Sequence, residues 1–409
     1  MIVAGTYRIA GPGWQPAGDW HLGARLREEA ARGLADTEDL WHAGTYFQRV
    51  NSGELMEISA WAGDPGTRPP AASAVIAEAR ERAHELVTAA KAEGSTATLV
   101  LAADSFVVRS ADGPDVVAGY PWFGSYLGDT MTAYEGLFLE TGRAEEGRKL
   151  LRARTRSAAG PLVVDPADEL VRLGDAASWP NPCTEDGPVT PRIGKPVEIN
   201  ALWVNALAAM ADLLVEAGRD DAEPRARHAR ARASFLARFP APEGWLYDVI
   251  EGPPAAYPLG AGNHHDDPSL RPNQLFAWSL PHAPLIRDPL GRDAVQAAGA
   301  ALLTPLGPRT LAAGEYGYQG VHRGSREERD IAYHQGTVWP WLIGTYADAC
   351  AAVGLPSEGL LTGLEAHLSE WGVGSVSETA DGDPPHDATG SPFSARSVAE
   401  VLRTLRSHA

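Results

Sequence analysis

Three acids fall within six residues in the run Gly374-Ser375-Val376-Ser377-Glu378-Thr379-Ala380-Asp381-Gly382-Asp383. A loop carboxyl of this kind suits glycoside hydrolysis. There one group protonates the leaving oxygen, and a second, across the scissile bond, activates water or attacks directly. The run reads equally well as an exposed acidic turn. A second stretch, from Ala118-Gly119-Tyr120-Pro121-Trp122-Phe123-Gly124 through Ser125-Tyr126-Leu127-Gly128-Asp129-Thr130, mixes aromatics, glycines and one acid. Flat rings suit the C–H faces of a sugar. Glycines let the backbone approach a ligand, and Asp129 can grip hydroxyls. An aromatic corner packed in a core is the plainer alternative.

A third stretch runs from Ser178-Trp179-Pro180-Asn181-Pro182-Cys183-Thr184-Glu185-Asp186 into Gly194-Lys195-Pro196-Val197-Glu198-Ile199-Asn200-Ala201-Leu202-Trp203. Glu198 falls in the first turn of a predicted helix, where an acid complements the positive helix end. If that end lines a cleft, Glu198 also meets sugar hydroxyls, with Asn200 and Trp203 near the same rim. Tyr333-His334-Gln335-Gly336-Thr337-Val338-Trp339-Pro340-Trp341 and Arg271-Pro272-Asn273-Gln274 place polar groups at the starts of two further helices. The chain lacks a Gly-x-Ser-x-Gly elbow, a P-loop and a dinucleotide fingerprint in a βαβ setting. It has no Cys/His cluster with zinc spacing, and His264-His265-Asp266-Asp267 reads better as a solvated loop than as a metal site. Neither a metal nor a cofactor is expected.

The elements that must hold these residues are mostly helical. The chain has 409 residues, 44% of them hydrophobic, enough for one large domain plus a small appendage. Its formal charge of -18 repels nucleic acid and anionic membranes but does not deter a neutral ligand. Two cysteines make no disulfide framework. The start carries no signal-peptide pattern, and no uncharged apolar run reaches membrane length. A cytoplasmic location is expected. Residues 1–70 predict a short β-rich segment, with strands over Ile2–Ile9 and Tyr46–Trp61. Residues 71–409 predict the helical domain. Val75 to Ala90 recur at helical steps with a stop at Gly94, whereas Thr98–Val108 reads as extended or mixed. Further helices are predicted over 132–141, 144–157, 197–217, 222–238, 273–282, 293–303, 337–353, 356–371 and 394–406. Without a repeat period, a closed ring of helical hairpins fits this pattern, with an α-solenoid as the alternative.

Taken together, the Ala118 to Phe123, Gly194 to Trp203, Arg271 to Phe276 and Tyr333 to Pro340 stretches resemble the glycogen debranching enzymes. The likeness is to their amylo-α-1,6-glucosidase domain, and Ser397 to Arg403 resembles that family's closing helix. It covers about residues 75–409. It implies an all-α fold, an (α/α)6 toroid-like barrel of the six-hairpin glycosidase type, here lacking about one hairpin. It implies inverting, cofactor-free removal of α-1,6-linked glucosyl stubs from a glycogen-like α-glucan. By position, Glu378 matches the family's general base, and Asp129 the aspartate that holds outer hydroxyls of a terminal glucose. Trp122, Phe123, Glu198, Asn200, Trp203, His334, Gln335 and Trp339 would shape the pocket.

The departures are specific. The family's Trp-Gly-Arg-Asp-Thr reads Tyr126-Leu127-Gly128-Asp129-Thr130, so its arginine is missing. Its Thr-Trp-Met-Asp, with the general acid, reads Ser178-Trp179-Pro180-Asn181. An amide cannot protonate a leaving oxygen, and a missing acid removes roughly 10²–10⁴ in rate. Glu185, Asp186 or Asp175 would have to take its place. The family's Gln-Ala-Trp-Ser reads Ser394-Ala395-Arg396-Ser397, and the segment between Gly160 and Ala177 is short. A relative that only binds a glucan or a partner protein through the cleft is the alternative expectation.

Overall fold

The computed structural model describes residues 2–4, 7–62, 64, 67, 70–110, 113–154, 162–174, 177–184, 187–253, 265–286 and 288–408. The chain divides into two units, Met1–Ala89 and Ala90–Ala409.

In the first unit, β1 (Ile2–Ala4), β2 (Tyr7–Ala10) and β5 (Ser59–Ala62) form an antiparallel sheet in the order β1-β2-β5. A separate ribbon pairs β3 (Trp14–Arg25) with β4 (Thr37–Tyr46), with the short helix α1 (Arg27–Ala31) between them. Most of the expected strand over Tyr46–Trp61 is irregular, and the longest strands lie before it. The ribbon escapes sequence reading because Pro16, Gly18 and Gly23 interrupt it and its register shifts twice. Its side chains are also largely exposed, so apolar and polar residues do not alternate. Trp20 faces Trp41 across the strands with ring centroids 5.1 Å apart. Helix α2 (Ala72–Ala90) follows the predicted periodicity.

The second unit is helix-rich. Its first helix, α3 (Gly94–Phe106), covers most of the segment expected to be extended. Leu99, Val100, Ala103 and Phe106 recur at helical steps and are buried. That apolar face overrides the β-branched residues at the segment's ends. A hairpin of β6 (Val107–Ser110) and β7 (Gly113–Val116) leads to β8 (Gly119–Tyr120). Helix α4 (Leu127–Thr132) then precedes a π-helical turn at Glu135–Leu139, so helical structure begins five residues ahead of the predicted 132. A Cβ on Gly136 would lie 2.1 Å from the Ala399 carbonyl oxygen, so only glycine permits this approach to the last helix.

Helices α5 (Ala144–Arg154), α6 (Val197–Glu216) and α7 (Ala222–Arg238) lie close to expectation. A 3-10 turn at Pro272–Leu275 runs into the short α8 (Phe276–Ser279). Next come α9 (Leu290–Leu302) and α10 (Arg326–Ala332), which the sequence reading missed although Ser325 and Glu328 form a capping box. Pro340 delays α11 to Leu342–Val353, and Gly354 at φ 71° ends it. Helix α12 keeps only Thr362–His367, and α13 spans Ala395–Ser407.

Phe235, Phe239, Trp278, Leu302 and Cys350 belong to one large buried cluster. Helix α11 packs against α8, α9 and α13, and α6 packs against α7 and α8. By length and composition α6 would pass for a membrane span. It nevertheless carries Glu198 and Asn200 buried within the unit.

Candidate active site

The starts of α4, α6, α11 and α13 face a cavity of about 1210 Å³. Of the three acids in the 378–383 run, only Glu378 lines it. Asp381 accepts the His322 amide N–H at 2.8 Å and pairs with Arg323, and Asp383 accepts the Tyr318 hydroxyl. Glu378 stands just before a two-stranded hairpin, Thr379–Ala380 against Ala388–Thr389. Its Oε2 accepts the Ser391 amide at 2.8 Å, and the Tyr333 hydroxyl donates to Oε1. A Cβ on Gly390 would lie 2.5 Å from Oε2, and this residue's φ is +67°, so glycine leaves the space the carboxylate occupies. Burial raises the pKa of Glu378, while Tyr333, the Ser391 N–H and Arg396 draw it back. Burial, then the Glu378 charge, holds the Tyr333 phenol protonated well above its usual range.

Ser391 also ties this loop to the aromatic stretch. Its hydroxyl donates to the Tyr120 carbonyl, and Phe393 pairs with Tyr120 in a short ladder against β8. That ladder brings the first turns of α4 and α13 together. Asp129, in α4, meets Arg396, in α13, with Oδ1 2.8 Å from Nε. Phe123 and Tyr126 line the same wall, whereas Trp122, 36% exposed, does not line the cavity.

An aromatic wall adjoins it, with Arg396 over Trp339 and Trp341. Trp179 meets His334, Trp339 and Trp341 edge-on at 4.6, 5.6 and 5.5 Å. The Trp179 indole N–H donates to Asn273 at 2.9 Å, and Asn273 donates to Asp248 at 2.8 Å. His334 stacks on Trp339 at 5.0 Å. It is 1% exposed, and neither ring nitrogen has a hydrogen-bond partner among the described residues. Burial, helped by Arg396 and Arg271, pushes its pKa well down, so the ring is neutral. A neutral imidazole offers one donor and one acceptor to a ligand.

Behind this wall lies a buried ion network. Arg192 donates to both carboxylate oxygens of Glu198 and, through Nε, to Asp248 at 2.8 Å. Glu198 therefore lines the cavity as a held carboxylate, with both oxygens taken. Removing one partner of such a network strands charge in a dry site. Arg192→Met should cost about 3–5 kcal/mol in urea unfolding. A cost under about 1 kcal/mol would show that the network does not hold α6 to the 178–181 loop.

Besides Trp122, three of the expected pocket residues turn elsewhere. The Asn200 side chain is spent on Val171, accepting its N–H at 2.7 Å, and on the carbonyls of Val171 and Pro196. Trp203 packs with Val204, Leu207 and Ala231, and its indole N–H donates to the Glu169 carbonyl. Gln335 accepts from Arg271. Asn181, at the position matched to the general acid, does line the cavity. Glu185, Asp186 and Asp175 lie outside the described residues. Tyr333, Trp179, Trp341 and Arg396, which were not among the expected site residues, also line the cavity. Their repeated placement beside helix starts was the available signal.

Asp165, Asp168 and Glu251 converge away from the cavity, and they hold the Lys195 ammonium at 3.0, 2.5 and 2.8 Å. In the 264–267 run, Asp266 accepts the Glu251 N–H and Asp267 accepts from Ser269. His264 lies outside the described residues.

Among curated proteins, none matches the chain. A GH63 mannosylglycerate hydrolase from Thermus thermophilus, solved with glucose, is similar at 16% identity and a TM-score of 0.37. The match covers 51% of this chain and 45% of that one. An uncharacterized conserved protein of the same organism is 15% identical, covering 51% and 46%, with a TM-score of 0.38. The chain thus spans less than half the length of these solved chains. The profile of the family described as amylo-alpha-1,6-glucosidase matches residues 101–163 and 158–403. On that match, which takes in most of the second unit, the chain belongs to the amylo-alpha-1,6-glucosidase family of glycoside hydrolases.

Proposed function

We propose that this protein hydrolyses α-1,6-linked glucosyl stubs on a glycogen-like glucan. In this reading Glu378 is the general base and the helices form an (α/α)6 barrel short of about one hairpin. The observation that carries it is Glu378 itself. It is a buried carboxylate in a large cavity, held by Tyr333 and the Ser391 N–H, facing Asp129 and an aromatic wall. Of the aromatic lining, Tyr126, which is exposed, is suited to the C–H face of a sugar. Asp129, in the cavity lining, is suited to its hydroxyls. A water activated by Glu378 attacks from the face opposite the leaving oxygen, which inverts the anomeric centre. Proton NMR of fresh product should therefore show β-glucose ahead of mutarotation. α-Glucose appearing first would rule out this direct water attack.

One observation favours a second reading. Asn181 stands where a proton donor is needed, and the nearby Glu198 has both oxygens bound by Arg192. A chain that binds glucan without cleaving it accounts for both. Retention on glycogen with no glucose released would select it.

A further inference from the structure

Arg396 sits in the first turn of α13, the end of a helix where a cation is disfavoured. Its guanidinium lies 4.9 Å from the Trp339 ring centroid and 5.5 Å from that of Trp341. Its Nε faces Asp129 at 2.8 Å, and the side chain is only 15% exposed. Its two terminal nitrogens have no partner among the described residues, and Arg396 lines the cavity. Two indoles and one carboxylate thus fix this fork in the lining of the cavity. A planar guanidinium placed so is rigid, and it gives paired N–H donors to adjacent oxygens. Charges facing the same space include Glu378, Glu135, Asp348 and Glu400, against Arg403 as the other cation. That excess of acid selects a neutral polyol over an anion.

We propose that Arg396 is a specificity-determining residue, which, seated on Trp339 and Trp341, clamps adjacent hydroxyls of a sugar in the cavity together with Asp129. The inference rests on the reading of the cavity as a glycoside site. It also joins two departures of the sequence. The arginine absent before Asp129 and the arginine present at position 396 leave one guanidinium in this corner, brought from α13 instead of α4. At position 128 a Cβ would meet nothing within 4 Å, so the space beside Asp129 is open to a ligand.

The test is a cycle of Arg396→Met, Asp129→Asn and the double variant, with Arg396→Lys as the conservative change. Melting needs no ligand. Arg396→Met should lower the midpoint by roughly 2–4 °C, and Asp129→Asn in the same chain should recover most of that loss. Isomaltose binding, followed by calorimetry, should weaken about 10- to 100-fold in Arg396→Met. Arg396→Lys should restore the midpoint but not the affinity, because an ammonium keeps the charge and loses the fork. Additive midpoints, full affinity in Arg396→Lys, or no isomaltose binding by the wild type would each overturn the proposal. Binding with coupling but no hydrolysis of a limit dextrin would end the debranching reading and leave the clamp standing. Hydrolysis without coupling would do the reverse.

Discussion

Replacing Asn181 with aspartate should raise the rate of glucose release by about 10²–10⁴. The gain is the worth of a positioned general acid, and it arises because an amide has no proton to give to a departing glucan oxygen. Asn181 lines the cavity with Trp179, whose indole is anchored through Asn273 to the Asp248–Arg192–Glu198 network. The loop is therefore held, and an aspartate of nearly equal volume enters a formed site. The same logic predicts a substrate dependence. An α-glucosyl fluoride, whose leaving group needs little protonation, should be cleaved almost equally fast by wild type and Asn181→Asp. An equal gain on both substrates would mean that the aspartate acts other than as an acid. No gain on the glucan would mean that the proton comes from another residue or that the cleft is incomplete.

Exchanging Glu378 for glutamine should lower hydrolysis by at least about 10²–10⁴, while glucan binding changes only a few-fold. The amide oxygen can accept the Ser391 N–H while its NH2 donates to the Tyr333 hydroxyl oxygen, which keeps the shape of the site, but the amide cannot take a proton from water. The wild-type pH profile follows from the same group. A base works ionised, and burial raises the Glu378 pKa above the ordinary carboxylate value. Activity should therefore fall as pH drops through that raised value, giving an acidic limb above the usual glutamate range. A limb at the ordinary value, or activity that survives in Glu378→Gln, would remove Glu378 as the base.

Long periodic segments were legible from the sequence. α6 and α7 begin and end within a residue of expectation; in α6 buried Val197, Ala201, Val204, Leu207 and Ala211 recur at helical steps. α3 was not, since its β-branched ends read locally as strand and only its buried face reveals the helix. In the site, Glu198, His334, Trp339, Asp129 and Glu378 do meet one cavity. Asn200 and Trp203 share a helix with Glu198, but residues two and five positions on point to other sides of it. Gln335 adjoins His334 and turns toward Arg271. Arg396 was visible only as an exchange of residue type. Its importance depends on the pairing of Phe393 with Tyr120, a contact between segments far apart in the chain.

The most direct measurement is glucose release from a phosphorylase limit dextrin by the purified protein, run beside Glu378→Gln. The wild type should release glucose, and the variant should lose at least about 10²-fold. Equal release by both proteins, or retention on glycogen with no release by either, would contradict the proposed function.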